Sequence, residues 1–391
     1  MTPAARVQAA IELLDQVIAA AREGGAAADT LISRYFAARR YAGSKDRRAV
    51  RELVYRAVRR TGERPTNGRS AMLGLARAEP DLLALFDGSM HAPAAPTDGE
   101  PAAESGIAPA WLLERLDPLV GADERGSLLA RAPLDLRVNR LKGDRETARD
   151  MFPDAVATPH SPLGLRLPEG TRVEESAAWR EGLVEVQDEG SQLLALACAA
   201  RPDMTVIDLC AGAGGKTLAL AAEMADRGRI VAADTDRGRL SKLPQRLARA
   251  GASIVETRLL DPGREAETME ANSADLVLVD APCSGSGTWR RNPETRWRIT
   301  PERLERVVAL QARLLDLAAT LVRPGGHLVY AVCSLLVEEG REQAAALTDR
   351  SSLVPEDVSI PAGRMAGGGR LLSPGHDGTD GFFVARWRRP C

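Results

Sequence analysis

Rings are scarce in this chain: only 4% of its 391 residues are aromatic, and histidine occurs four times. The five cysteines, Cys198, Cys210, Cys283, Cys333 and Cys391, are odd in number and widely spaced. That excludes a disulfide framework, and with so few histidines no zinc-ligand spacing forms. An excess of one charge is also missing, since 52 Lys and Arg face 54 Asp and Glu for a net charge of −2. A basic coat over the whole surface is therefore excluded, and any nucleic-acid footprint must be local. No uncharged apolar run reaches the ~18 residues that a membrane span needs. The segment MTPAARVQAAIELLDQV is amphipathic and interrupted by Glu12 and Asp15, and does not read as a signal peptide. Together these absences predict a soluble, cytoplasmic protein with reduced thiols, no metal and no membrane partner; a monomer is the expectation, though no residue pattern carries it. What is present is ordinary globular composition, 44% apolar and 27% charged, in a chain long enough for two or three domains.

Helical periodicity runs over residues 3–22, where Val7, Ile11, Leu14 and Ile18 form a stripe behind a Thr2-Pro3 start. Further helices are expected near 28–41, 45–60 and 69–86. The third gathers Lys45, Arg47, Arg48, Arg51, Arg56, Arg59 and Arg60 on its outer face. A solvated helix face and a contact for RNA phosphates both remain open there. The stretch GSMHAPAAPTDGEPAAESGIAP (88–109) offers little to bury and reads as a linker. Residues 110–180 mix helical and strand patterns, including LDLRVNRL (134–141), and predict a small α/β subdomain. From 181 onward, after the strand LVEVQ, helices alternate with near-continuous apolar strands such as TVIDL, RIVAA and DLVLV. Strands of that kind are covered on both faces, which gives a doubly wound α/β sheet.

In such a sheet ligands lie at the carboxyl ends of the strands. The loop after the first strand, in VIDLCAGAGGKT (206–217), has Gly212, Gly214 and Gly215 to admit a ligand against the backbone. Asp234 ends the next strand, where an acid commonly bonds ribose hydroxyls. A P-loop would need glycine where Cys210 stands, and a dinucleotide fingerprint would need glycine in place of Thr217. S-adenosylmethionine has no phosphates to cradle and tolerates this looser pattern.

Cys198 sits among alanines and leucines and reads as a small core residue, and Cys391 is terminal. Cys283 and Cys333 differ, because each follows an apolar strand directly over the cofactor loop. Two thiols beside a methyl donor suit methylation of carbon 5 in a pyrimidine, which becomes nucleophilic only after a thiolate adds to carbon 6. Asp280, just before Cys283, could hydrogen-bond the ring nitrogen. Downstream, Trp289, Arg290, Arg291, Arg296 and Trp297 interleave rings with cations, as base stacking and phosphate contact require; packing in the core is the competing reading.

The segments DLCAGAGGKT (208–217), VEVQDEGSQL (184–193), DAPCSGSGTWRRNPETRW (280–297), YAVCSLLVEE (330–339) and DGFFVARW (380–387) resemble, in order and spacing, the RsmB/Sun-type RNA cytosine-C5 methyltransferases. The resemblance covers about 110–391. It implies a Rossmann-like methyltransferase sheet, preceded by a shortened all-α NusB-like RNA-binding domain over 1–88, whose first helices end in DRRAVRELVYRAVRR (46–60), and an RNA-recognition-like subdomain over 110–180. S-adenosylmethionine contacts carry over to Cys210, Ala211, Gly212, Ala213, Gly214, Gly215, Lys216, Asp234, Asp261 and Asp280. The nucleophile carries over to Cys333, product release to Cys283 and cytosine contact to Asp280. The implied substrate is 16S ribosomal RNA, with a tRNA cytosine-C5 methyltransferase and a non-catalytic RNA-binding assembly factor as alternatives. An adenine-N6 enzyme would need no thiol. Gly212 and Ala213 stand where the family has Ala and Pro, which implies a looser loop. Val332 replaces Thr and Gly340 replaces Asn.

Overall fold

Four helices, α1 (Pro3–Glu23), α2 (Ala28–Ala37), α3 (Ser44–Arg60) and α4 (Gly68–Ala76), close on one apolar core. The Thr2 hydroxyl caps α1 by accepting from Ala5 N–H at 3.2 Å, and Gly24 ends it in the left-handed region at φ 77°. The α1 stripe of Val7, Leu14 and Val17 is fully buried with Val50, Val54, Met72 and Leu73. The computed structural model describes residues 1–391 and divides them into two units. This helical unit takes in Met1–Leu116, Gly121–Ala130 and, from far along the chain, Thr288–Pro301.

The expected linker is not a free tether. Ala103 N–H donates to the Ser70 carbonyl and Gly106 N–H to the Arg60 carbonyl, each at 2.9 Å, and Arg69 grips Glu100. A Cβ on Gly74 would lie 2.3 Å from the Ala103 carbonyl oxygen, so only glycine admits this approach. Backbone hydrogen bonds hold the segment where apolar burial cannot.

The second unit comprises Asp117–Val120, Arg131–Gly287 and Glu302–Cys391 and carries two sheets. The smaller is antiparallel, with β1 (Leu134–Val138), β2 (Val156–Ala157), β3 (Gly164–Leu167) and β4 (Val184–Val186) in the order β2-β3-β1-β4. Because Leu136 of β1 pairs with Val186, the strand assigned to the catalytic region belongs to this sheet. The boundary expected at 180 therefore moves beyond Val186, and most of 110–130 falls in the helical unit.

The large sheet has nine strands: β5 (Thr205–Asp208), β6 (Arg229–Asp234), β7 (Val255–Leu259), β8 (Ala274–Asp280), β9 (Val322–Val332), β10 (Val354–Glu356), β11 (Arg364–Ala366), β12 (Gly369–Leu372) and β13 (Phe382–Arg388). Their order is β11-β12-β13-β9-β8-β5-β6-β7, with β10 on β13. From β9 to β7 the strands are parallel, and β13 runs antiparallel to β9. Helices α5 (Glu189–Ala197), α6 (Gly215–Glu223) and α7 (Leu243–Ala250) share the core of Val206, Ile230, Leu276 and Val329. Helices α8 (Pro301–Leu321) and α9 (Arg341–Arg350) precede and follow β9. This is the doubly wound, Rossmann-like sheet that the apolar strands predict. The chain leaves β5 toward β6 and β7, then returns to its other side with β8 and β9, so the switch in strand order lies at β5 and β8. No helix is long and apolar enough to cross a membrane.

Candidate active site

At that switch, the strand-end carboxylates Asp208, Asp234 and Asp280 border a cleft of about 660 Å³, a size that suits a nucleoside-sized ligand. Of the expected residues, Cys210, Ala211, Ala213, Gly215, Lys216, Cys283 and Cys333 also line it. Gly212 and Gly214 shape the loop at φ 57° and 85°. Asp261 is exposed, and its neighbours Leu260 and Pro262 line the wall in its place.

The loop is tied at both ends. Gly212 N–H donates to Asp234 Oδ2 at 2.7 Å, and Arg246 donates to the Ala213 carbonyl at 2.6 Å. Arg246 is itself paired with the buried Glu185. The looser loop implied by the Gly212-Ala213 replacement is thus fixed by an arginine instead of a proline ring. Val332, the other replacement beside a cysteine, is fully buried and pairs with Phe383 across the sheet.

Electrostatics divide the cleft. Asp208 is 1% exposed; its Oδ2 accepts the Thr217 hydroxyl at 2.7 Å, while Oδ1 has no partner. Burial pushes its carboxyl up to about 7, with Asp280 adding to that and the Thr217 hydrogen bond opposing it. Lys216 Nζ meets Asp280 Oδ2 at 2.7 Å. Burial pulls the lysine down, but the charge and hydrogen bond of Asp280, followed by the charge of Cys333, outweigh it and hold the ammonium protonated.

The two sulfurs, Cys283 Sγ and Cys333 Sγ, lie 3.2 Å apart as free thiols. The Cys283 thiol is raised well above its ordinary range, first by its hydrogen bond to Cys333, then by burial and by the charges of Cys333 and Glu339. Cys283 therefore keeps its proton, and Cys333 is the sulfur with a cation in electrostatic reach.

Sequence reasoning missed the polar layer beneath these cysteines. Glu339 is fully buried and accepts from Ser284 N–H at 2.7 Å, from Gln311 Nε2 at 3.0 Å, and from the hydroxyls of Ser284 and Ser334. The available signal was the Cys-Ser dipeptide that occurs after both strands.

The aromatic-cation cluster does not form an RNA surface, and that expectation is corrected. Trp289 and Arg296 are fully buried, Trp297 is 2% exposed and Arg290 5%. Arg296 Nη2 donates to the carbonyls of Val58 at 2.6 Å and Thr61 at 2.8 Å, and the Trp297 indole donates to those of Thr61 and Gly62. Arg291 is half-buried. Arg296 and Trp297 pack inside the helical unit, and all four buried side chains are withdrawn from the surface on which a base would stack. The α3 cations split likewise: Lys45, Arg47, Arg48 and Arg51 are exposed, whereas Arg56, Arg59 and Arg60 are half-buried.

Residues 195–388 match the family model described as 16S rRNA methyltransferase RsmB/F. The probable ribosomal RNA small subunit methyltransferase B of Synechocystis sp. is 35% identical over 299 residues, covering 72% of this chain and 66% of that protein. Its counterpart from Salmonella typhi is 33% identical, covering 71% and 65%. The chain thus spans slightly under two thirds of the length of these relatives. Among solved structures, PH0851 superposes with a TM-score of 0.78 at 24% identity, covering 98% of this chain and 99% of that one, and shows the fold. A methyltransferase homolog protein from Pyrococcus horikoshii gives a TM-score of 0.63 at 27% identity, covering 71% and 94%. Through residues 195–388, the chain belongs to the RsmB/RsmF family of methyltransferases.

Proposed function

We propose that this chain is an S-adenosylmethionine-dependent RNA methyltransferase that modifies carbon 5 of a cytosine in 16S ribosomal RNA through a covalent adduct at carbon 6. The observation that carries the reading is the pair of sulfurs 3.2 Å apart at the strand ends, one keeping its proton and the other near a buried ammonium.

The cleft suits the cofactor. Asp234 ends its strand beside the glycine loop, whose Gly212 and Gly214 at φ 57° and 85° let a nucleoside-bearing ligand approach the backbone, and Asp208 Oδ1 is a buried acceptor without a partner. Residues 210–216 and Asp234 would hold the cofactor, with Asp261 at the rim. When bound, it supplies an activated methyl group.

Cys333, as the thiolate, adds to carbon 6 and leaves carbon 5 nucleophilic. Asp280, fixed by Lys216, bonds the ring nitrogen and stabilises the adduct. After carbon 5 is methylated, the bond from the Cys333 sulfur to carbon 6 breaks as the Cys283 thiol gives its proton to the departing sulfur. The Cys283 thiolate so formed, a strong base, takes the proton from carbon 5, and both cysteines return as thiols. RNA containing 5-fluorocytosine cannot lose the position-5 substituent, so with cofactor it should become cross-linked to Cys333. A digest in which no nucleotide maps to Cys333 overturns the reading.

A further inference from the structure

Each cysteine is followed by a serine, and the two Cys-Ser turns converge on one buried side chain. Ser284, beside Cys283, gives Glu339 its N–H and its hydroxyl; Ser334, beside Cys333, gives its hydroxyl. Gln311 from α8 donates to the same carboxylate at 3.0 Å and to the Pro282 carbonyl at 2.9 Å, which fixes the peptide just before Cys283. The turns also touch directly. Ser284 Oγ and Ser334 Oγ are 3.2 Å apart, Ser286 Oγ and Ser334 Oγ 3.0 Å, and Gly287 N–H donates to the Cys333 carbonyl at 3.0 Å.

We propose that Glu339 is a positioning residue that clamps the Cys283-Ser284 and Cys333-Ser334 turns together and so sets the separation of the two sulfurs. The proposal rests on the roles given to the two cysteines above and adds the group that holds them in register.

The chemistry of the carboxylate explains why this residue type is needed. Its donors are neutral: a backbone amide, a side-chain amide and two hydroxyls. An ionised carboxylate is acceptor-only and can receive all four at once, whereas a glutamine offers one acceptor and turns its own N–H₂ on the remaining donors. Its backbone is anchored as well, since the Tyr330 hydroxyl on β9 donates to the Glu339 carbonyl at 2.7 Å. The charge adds a second effect, because it is among the causes that raise the Cys283 thiol, after the hydrogen bond to Cys333 and burial.

The test compares wild type with Glu339→Gln and Glu339→Ala. Diamide removes the two thiol hydrogens and leaves a Cys283–Cys333 disulfide, whose rate of formation reports how often the sulfurs meet. That rate, read by mass spectrometry of the linked peptides, should fall at least about tenfold in Glu339→Ala and less in Glu339→Gln. The S-adenosylmethionine Kd from calorimetry and the RNA KM should stay within about threefold, while kcat falls by about a hundredfold. An unchanged disulfide rate overturns the proposal; so does loss of cofactor affinity in step with the disulfide rate, which would make the residue a general support of the fold. Should Glu339→Ala not fold, Ser284→Ala with Ser334→Ala removes the same hydroxyl clamps and is read identically. The disulfide measurement needs neither RNA nor methyl transfer, so a wild type that never methylates cytosine leaves it readable.

Discussion

One signature, DAPCSGSGTWRRNPETRW, divides into two halves with opposite environments. Residues 280–287 lie in the sheet unit, where Asp280, Pro282 and Cys283 line the cleft. Residues 288–297 lie in the helical unit, where Trp289, Arg296 and Trp297 are all but fully buried. The first half keeps reactive groups in a solvent-reachable pocket, with Asp280 paired to Lys216 and Cys283 to Cys333. The second half spends Arg296 on backbone carbonyls of α3 and the turn that follows it. Interleaved tryptophan and arginine thus mark a core here, because guanidinium donors can cap the carbonyls that a helix end leaves unpaired.

The largest expected effect breaks the catalytic half. Cys333→Ala should abolish methylation, by a thousandfold or more on the scale of lost nucleophiles (~10³), whereas Cys283→Ala should accumulate an adduct of protein and RNA that survives denaturing gels. Finding the trapped adduct with Cys333→Ala instead would exchange the two roles. In the other half, Trp297→Ala should cost about 3–5 kcal/mol of stability, as large-to-small changes in a core do. Calorimetry should register that loss, while RNA affinity measured against salt keeps its slope. A variant of native stability with a flatter slope would return the tryptophan to the RNA surface.

A third effect tests how the cleft is built. Asp208 has its folded pKa raised to about 7 from an ordinary 3.8. Between those values the folded state holds a proton that the unfolded state has lost. The associated stability is therefore complete below about pH 4 and declines as pH rises towards 7, by at most about 1.4 kcal/mol per unit. Asp208→Asn has no such proton to lose. The stability of wild type minus that of the variant, from denaturant titrations, should slope downward from pH 4 to 7 and level off above. A flat difference would mean that the carboxylate is ionised throughout.

Much of this was legible in the sequence. The parallel strands announce themselves as TVIDL, RIVAA and DLVLV because both faces are covered, and the loop glycines fall at the switch point. Three things were not legible, each for a non-local reason. LVEV looks like any strand until Leu136 supplies its partner from the small sheet. Residues 88–109 lack apolar bulk, yet are held by backbone bonds to residues far away in sequence. Glu339 sits in a quoted motif, but nothing local says that its carboxylate is shared between two turns.

The smallest effect sharpens the contrast between buried and exposed cations within the helical unit. If the cations of residues 290–296 serve the core, phosphate contact in this unit falls to the outer face of α3. There Arg47, Arg48 and Arg51 border a depression of about 570 Å³ with Asp29, Ser33 and Phe36. Arg51 reaches Asp29 at 2.9 Å, but both side chains are more than half exposed, at 57% and 58%. Such a pair is worth about 0–1 kcal/mol, so the arginine can exchange its partner for a phosphate at little cost. Arg48→Ala with Arg51→Ala should lower the slope of log K against log salt by about 1.4–1.8, at ~0.7–0.9 per phosphate contact, and weaken RNA binding severalfold at physiological salt. Arg290→Ala, from the buried set, should leave the slope alone. The reverse pairing of results would show that the solvated face of α3 is only a solvated face, and that the buried segment opens when RNA arrives.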